Sequence, residues 1–417
     1  MKLPAYDLTL ENRLLLLCAR LELDAAEQEA LRQISNEAVD WNQVVMAAIH
    51  HGIPTLLSYH LRGLEGRPTT IPRDVWGRLE SMYRVARLQA MRQRFECGRL
   101  LKALTAEDVP VIPLKGIALR ETIYPDPALR LSGDIDLLLP PEAIERVERI
   151  LRSLDYLPVE HGGPKSHYQP DFFHHLVPYR LPERDVQVEI HWGLAAPDYA
   201  SRIDMPALWR RARCGYLAGQ PVQLLAAEDL LLHLTLHTFA WNVDELLQPL
   251  VLLRHLVDIA ETVRYYRACL DWKALAARAR EWGVEKHLSV AFELSRDLLG
   301  LDNPDLRLPT FQPVNFDPAL SKAVRWGMLW LTEVKTPPPI PETLLHYWLA
   351  KTCQEKLRLI RVTLFPSRQR LARRYGLPPD SARLFVCYWL LPLTLLQNYV
   401  QARWQAGRSR QHPFRGS

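Results

Sequence analysis

The chain has 417 residues, 48% of them hydrophobic and 24% charged, the balance of an ordinary globular protein with material for two or three cores. Its six cysteines (Cys18, Cys97, Cys214, Cys269, Cys353, Cys387) are scattered, with no CxxC and no Cys/His ligand spacing. That argues against a zinc site or a disulfide framework and fits a reducing cytoplasm. The net charge of +5 hides a segregation: from Lys351 to Ser417 thirteen Lys/Arg face two acids, a local +11, which leaves −6 on the rest. A basic end of this kind points to a polyanionic partner or to solvated helix faces, and the sequence leaves both open.

Residues 1–105 read as an N-terminal helical domain. Apolar residues recur at three- and four-residue spacings through Leu14–Leu17, AAEQEALRQI and WNQVVMAAIHHGIPTLLSYHL, and a long helix is expected over Asp74–Ala106. The apolar run LLLLCA is too short for a secretory segment and lacks a basic start. His50 and His51 are adjacent, so on a helix they diverge by about 100°. They read as a helix end before Gly52 rather than as a metal pair.

Residues 106–215 change character. Strands are expected at Val109–Leu114, Ile135–Leu139, Tyr156–Val159, His174–Leu181 and Val186–Trp192, and helices at Ile117–Tyr124 and Pro141–Leu154. PERD joins the last two strands as a hairpin. The order β-α-β-α-β-β-β predicts a small mixed sheet with helices on one face. Residues 216–335 return to helices, with Asp258 on a mostly apolar stretch. Residues 336–417 form a basic, aromatic-rich helical region that opens on PPPIP. LFVCYWLLPLTLL (Leu384–Leu396) is too short to span a membrane, and no run reaches the ~18–20 apolar residues that a span needs.

The chemistry concentrates in Leu114–Leu139, LKGIALRETIYPDPALRLSGDIDLLL. Asp134 and Asp136 are two apart on a strand, so both point to one face while Ile135 and Leu137 point to the other. Two neighbouring carboxylates repel, and a shared divalent cation, Mg²⁺ by ligand hardness, removes the conflict. VQVEIHW (Val186–Trp192) would present Glu189 and His191 on one face of a further strand, where Glu189 is a third metal ligand. Gly116 lets backbone N–H groups at a helix start approach a phosphate. Arg130 and Ser132 contact phosphate or pin the loop, and a salt bridge from Arg130 to Glu121 or Asp126 is the rival. His191 contacts phosphate, orients a nucleophile, or is a structural histidine beside Trp192. Of His174 and His175 only one can face the site. There is no Walker GxxxxGK[ST], GxGxxG after a strand, GxSxG, HExxH, HRD or DFG element.

A Gly-bearing strand-to-helix turn, then D-h-D on the next strand, then a later third acid resembles the DNA polymerase β-like nucleotidyltransferases. LKGIAL…RLSGDIDLLL followed by VEIHW is similar to the bacterial "uncharacterised nucleotidyltransferase" family within that superfamily. WNQVVMAAIHHGIPTLL and LFPSRQRLARRYG also resemble segments of it. The resemblance implies an α+β fold, a polymerase β-like core flanked by N- and C-terminal all-helical units. It implies transfer of an NMP from an NTP with Mg²⁺ or Mn²⁺ by two-metal catalysis. Asp134, Asp136 and Glu189 would be the catalytic metal ligands, with Lys115, Gly116, Arg130, Ser132 and His191 on the nucleotide. The superfamily usually has Gly-Ser where this chain has Gly116-Ile117, so Lys115 substitutes a charge for the hydroxyl. The acceptor is open: a peptide, a small molecule, or an RNA or tRNA end reached through the basic C-terminal region. The alternative is a catalytically impaired nucleotide- or RNA-binding protein.

Overall fold

The computed structural model describes residues 8–64, 68, 70–159, 174–195, 202–239, 253–302, 353–366, 368–375, 377–378, 381–391 and 393. The chain forms two compact units, one from Met1–Ala240 and Leu252–Val314, the other from Trp241–Val251 and Asn315–Ser417.

In the first unit the helical reading of the N-terminal part holds, because each helix start has local chemistry for its free N–H groups. Helices α1 (Leu10–Cys18), α2 (Ala25–Ser35) and α3 (Trp41–His50) are capped by Thr9, Asp24 and Asp40. Asp24 and Glu27 form a reciprocal capping box. Gly52, at φ 70°, turns the chain into α4 (Pro54–Gly63), which starts on a proline. The 34-residue α5 (Arg73–Ala106) follows, and its last turns bury Cys97, Leu100, Leu101 and Leu104 in the core of the sheet.

The sheet has the order β1-β2-β5-β4-β3. Its strands are β1 (Ile112–Pro113), β2 (Asp134–Leu138), β3 (Leu157–Pro158), β4 (Tyr179–Leu181) and β5 (Val186–His191). With α6 (Lys115–Thr122) after β1 and α7 (Ile144–Ser153) after β2, the element order is the expected one. Only β2 and β5 pair in parallel, and Ile135, Leu137, Val188 and Ile190 are fully buried between them and the helices. The polymerase β-like reading of a mixed α+β fold therefore stands.

Several boundaries differ from expectation. β1 is two residues long because Pro110 and Pro113 have no N–H to continue a ladder. The strand expected from His174 starts as a single bridge, His175 to His191, and becomes regular only after Pro178. Pro141–Ala143 form a 3-10 turn before α7 begins. A hairpin of β6 (Arg213–Leu217) and β7 (Gln220–Leu224) was not expected, and Gln223 N donates to Val111 O at 2.9 Å to dock it beside β1. Its Ala218-Gly219 turn has φ of 48° and 79°, the paired left-handed conformation of a two-residue hairpin loop.

Helices α8 (Met205–Arg211), α9 (Ala227–Phe239), α10 (Leu253–Tyr266), α11 (Trp272–Trp282) and α12 (Glu285–Leu299) complete the first unit's described elements. Asp271 caps α11, and left-handed Gly283 and Gly300 end α11 and α12.

In the second unit, α13 (Cys353–Leu364) and α14 (Arg368–Tyr375) are described. Leu371, Ala372, Leu384, Cys387 and Leu391 form a small core there. PPPIP, Trp404 and the Pro-rich run Asn303–Pro318 lie outside the described residues. Among the described residues no helix is long and apolar enough to cross a membrane.

Candidate active site

The acidic site is built by strand register. Asp136 is paired with Glu189 across the parallel β2–β5 ladder, and Asp134 precedes Asp136 by one full pleat on the same face. His191 follows Glu189 by the same spacing. One ligand atom each from Asp136, Glu189 and His191 lie within 4.8 Å of one another, the only such group among the described residues.

Asp136 is 2% exposed, and its Oδ1 meets Lys115 Nζ at 3.1 Å and His191 Nε2 at 2.9 Å. His191 Nε2 is also 3.8 Å from Glu189 Oε2. Gln187 donates to Glu189 Oε1 at 3.3 Å, and Ser132 Oγ lies 3.3 Å from Asp134 Oδ1.

The charges in this pocket do not balance. Burial would raise the Asp136 carboxyl, but the Lys115 ammonium and the His191 hydrogen bond outweigh it and hold Asp136 well below the carboxylate range. The other two acids go the other way. The charge on Asp136, with burial, pushes Asp134 up, and burial together with Asp136 and Asp134 pushes Glu189 up to about 7. Burial lowers His191 to about 4, so its imidazole is neutral at pH 7. Three carboxylates thus face one ammonium, and burial and mutual repulsion push two of them up. This donor set fits a hard divalent cation, with Asp136 and Glu189 as oxygen ligands and Asp134 on the same face. Neutral His191 can offer Nε2 or orient Asp136.

Lys115 reaches Asp136 from an unusual backbone. It opens α6 with φ 45°, a left-handed conformation uncommon for a side chain of its size and found at functional turns. Gly116 follows because nothing larger fits. A Cβ there would lie 2.8 Å from Ser132 Cβ and closer still to its Oγ. The Ser132 hydroxyl therefore lies over the glycine.

Arg130 is engaged elsewhere. Its partner is Asp258 rather than Glu121 or Asp126: Nε donates to both carboxylate oxygens at 3.0 Å and Nη2 to Oδ2 at 2.7 Å, with side chains 5% and 2% exposed. Tyr124 OH adds a 2.7 Å hydrogen bond to Asp258 Oδ1. Glu121 binds Arg94, and Asp126 accepts from Tyr83. The loop between Arg130 and the acidic strand is held from the other side as well. Arg120 Nε donates to Arg130 O at 2.5 Å, and Gln89 and Gln93 each donate to Ser132 O at 3.2 Å.

Asp258, Tyr124, Arg120, Gln89 and Gln93 were not among the expected site residues. The signal for Asp258 and Arg120 was a charged residue at a core-facing helical position. His174 and His175 both touch the His191 ring, with centroids 5.5 and 5.2 Å away. Burial keeps nearby His233 at about 3, hence neutral, with the Lys115 charge adding to the effect.

Acids paired across two strands of a small mixed sheet, beside a Lys-Gly helix start, fit the polymerase β-like nucleotidyltransferase class. The family profile described as uncharacterised nucleotidyltransferase matches residues 37–300, well over half the chain, and the chain belongs to that family. No curated protein and no solved structure matches it.

Proposed function

We propose that the protein transfers a nucleoside monophosphate from an NTP to an acceptor, in a reaction that depends on Mg²⁺ or Mn²⁺. The observation that carries this reading is the Asp136–Glu189 register, which gathers Asp134, Asp136 and Glu189 on one face beside Lys115. When bound, a pair of divalent cations would neutralise triphosphate charge and lower the pKa of the attacking hydroxyl.

The chain's own residues do the rest. Asp134, Asp136 and Glu189 would hold the cations. Lys115, freed from Asp136, turns its ammonium toward a phosphate, and the first N–H groups of α6 at Gly116 approach the same anion. Arg130 acts on the nucleotide through the loop it anchors, and Ser132 offers the hydroxyl over Gly116. His191 fixes the Asp136 carboxylate. The acceptor oxygen forms its bond to the α-phosphorus as pyrophosphate leaves.

The test is label transfer from α-phosphate-labelled NTPs into total tRNA and a cell extract, with Mg²⁺ or Mn²⁺. Asp136→Ala is expected to lower transfer at least 100-fold, and activity near wild type would refute the assignment. The acceptor is read from the labelled species. A tRNA or other RNA end is favoured by the +11 charge after residue 350. The second reading, a nucleotide- or RNA-binding protein without turnover, is motivated by Ile117 in place of the superfamily serine. Nucleotide binding with no metal-dependent label in any acceptor would select it. Four functional parts are proposed along the chain: 1–105, 106–215, 216–335 and 336–417.

A further inference from the structure

Three guanidinium groups, Arg120, Arg130 and Arg254, lie near enough to lower one another's pKa, and their partners are unequal. Arg130 has a buried carboxylate in Asp258. Arg120 has only neutral acceptors, Arg130 O and Gln93 Oε1. Arg254 has less. Among the described residues its one side-chain hydrogen bond is a long one, 3.4 Å from Nη2 to His255 Nε2, and its Nε is buried without a partner there. The residue is half-buried, so part of the guanidinium remains open to a ligand.

The setting makes that charge costly. Arg254 sits in the first turn of α10, where the helix dipole already disfavours a cation. The backbone N–H groups of Leu253 and Arg254 are taken by His51 Nδ1 and His51 O, both at 3.2 Å. The side chain lies across Gly52, where a Cβ would stand 3.1 Å from Arg254 Cδ. Burial lowers the guanidinium pKa, and the neighbouring Arg130 charge lowers it further. Asp258, one helical turn on, is already committed to Arg130 and Tyr124. The charges of Asp258 and Asp134 are felt at Arg254, but among the described residues no carboxylate bonds to it. Once cations neutralise the acidic pocket, Asp258, itself paired with Arg130, is the carboxylate that still offsets the Arg254 charge.

We propose that Arg254, with Arg120 and Arg130 behind it, is an anion site that receives a phosphate group during the reaction. The phosphate is the β/γ end of the NTP or a phosphate carried by the acceptor, and only this choice rests on the transferase reading. A guanidinium with no carboxylate bonded to it among the described residues, beside a second, fixed guanidinium, suits the oxygens of a phosphate better than those of a single carboxylate. The sequence reading assigned this role to Arg130, whose fork is filled by Asp258.

Arg254→Gln is tested by calorimetric titration with inorganic tripolyphosphate, and with orthophosphate on protein saturated with a non-hydrolysable NTP. Loss of about 10- to 100-fold in tripolyphosphate affinity, the size of charged hydrogen bonds, places the NTP there. An unchanged tripolyphosphate affinity with loss of orthophosphate binding to the NTP-saturated protein places the acceptor phosphate there. No change in either probe overturns the proposal. The ligand-free variant should melt no lower than wild type, since a costly charge has gone, whereas a purely structural arginine would lower the melting temperature and leave both affinities intact.

A measurement on the unmutated protein guards against misfolding. Tripolyphosphate, or orthophosphate with NTP bound, should shield Arg254 from phenylglyoxal, and an unshielded Arg254 overturns the site. The two readings fail separately. Arg254-dependent phosphate binding without label transfer keeps the anion site and removes the transferase, and label transfer with an unaltered Arg254→Gln profile does the reverse.

Discussion

Asp258→Ala isolates the buried clamp between α10 and the loop before the acidic strand. The substitution removes three Arg130 hydrogen bonds of 2.7 to 3.0 Å and one from Tyr124, and leaves a guanidinium 5% exposed with no anion. Breaking a buried pair from one side costs about 3–5 kcal/mol, mostly the uncompensated charge. At about 2–4 °C per kcal/mol for a unit of this size, the melting temperature should fall by roughly 6–20 °C. Calorimetry or thermal circular dichroism reads this directly. The double variant Arg130→Met/Asp258→Leu removes both charges and should recover most of the loss, since buried pairs often exchange for apolar residues at little cost. A single variant within about 1 kcal/mol of wild type would refute the clamp. So would a double variant no more stable than the single one.

Three further outcomes follow from the site. Gly116→Ala should cost about 1–3 kcal/mol by overpacking against Ser132 and weaken NTP binding. Adding Ser132→Gly should return most of the stability in urea unfolding. Glu189, raised from 4.5 to about 7 chiefly by burial, keeps a proton in the folded state that the unfolded chain has lost. In chelator, therefore, stability should fall as pH rises from 4.5 to 7, by something on the order of 2 kcal/mol, and Glu189→Gln should flatten that slope. Equal unfolding free energies from urea titrations at pH 5 and pH 7.5 would contradict it. Lys115→Met removes the one ammonium among three acids and should destabilise the metal-free protein by about 2–4 kcal/mol. Millimolar Mn²⁺ should restore part of the loss in a thermal-shift assay, and no response to Mn²⁺ would count against the acids as cation ligands.

The acidic strand was legible because its signal is local. The two-residue period that buries Ile135 and Leu137 places Asp134 and Asp136 together, and the same period in VQVEIHW aligns Glu189 with His191. That β2 and β5 are direct neighbours in parallel register was not local, since β3 and β4 intervene in sequence. The sequence places Glu189 only on a further strand, without that pairing. Arg130 shows where local reading stops: its nearest acids in sequence, Glu121 and Asp126, were the natural rivals, yet its partner lies 128 residues away. The β6–β7 hairpin had a local signal, a two-residue turn ending in Gly219 between apolar alternations, but Ala rather than Asn or Asp at the first position muted it.

The Arg130–Asp258 clamp also governs how the chain can be dissected. A fragment ending after β7 would keep every residue of the sheet and all three acids, but it would leave Arg130 without its carboxylate partner. The N–H groups that open α10 lean on His51, and Thr55 on α4 reaches Leu129 O at 3.3 Å. The smallest piece expected to fold with its acids in place therefore starts before α3 and runs past α10. Within it the acidic strand is a shared possession of helices from both ends rather than a module that can be cut out and grafted.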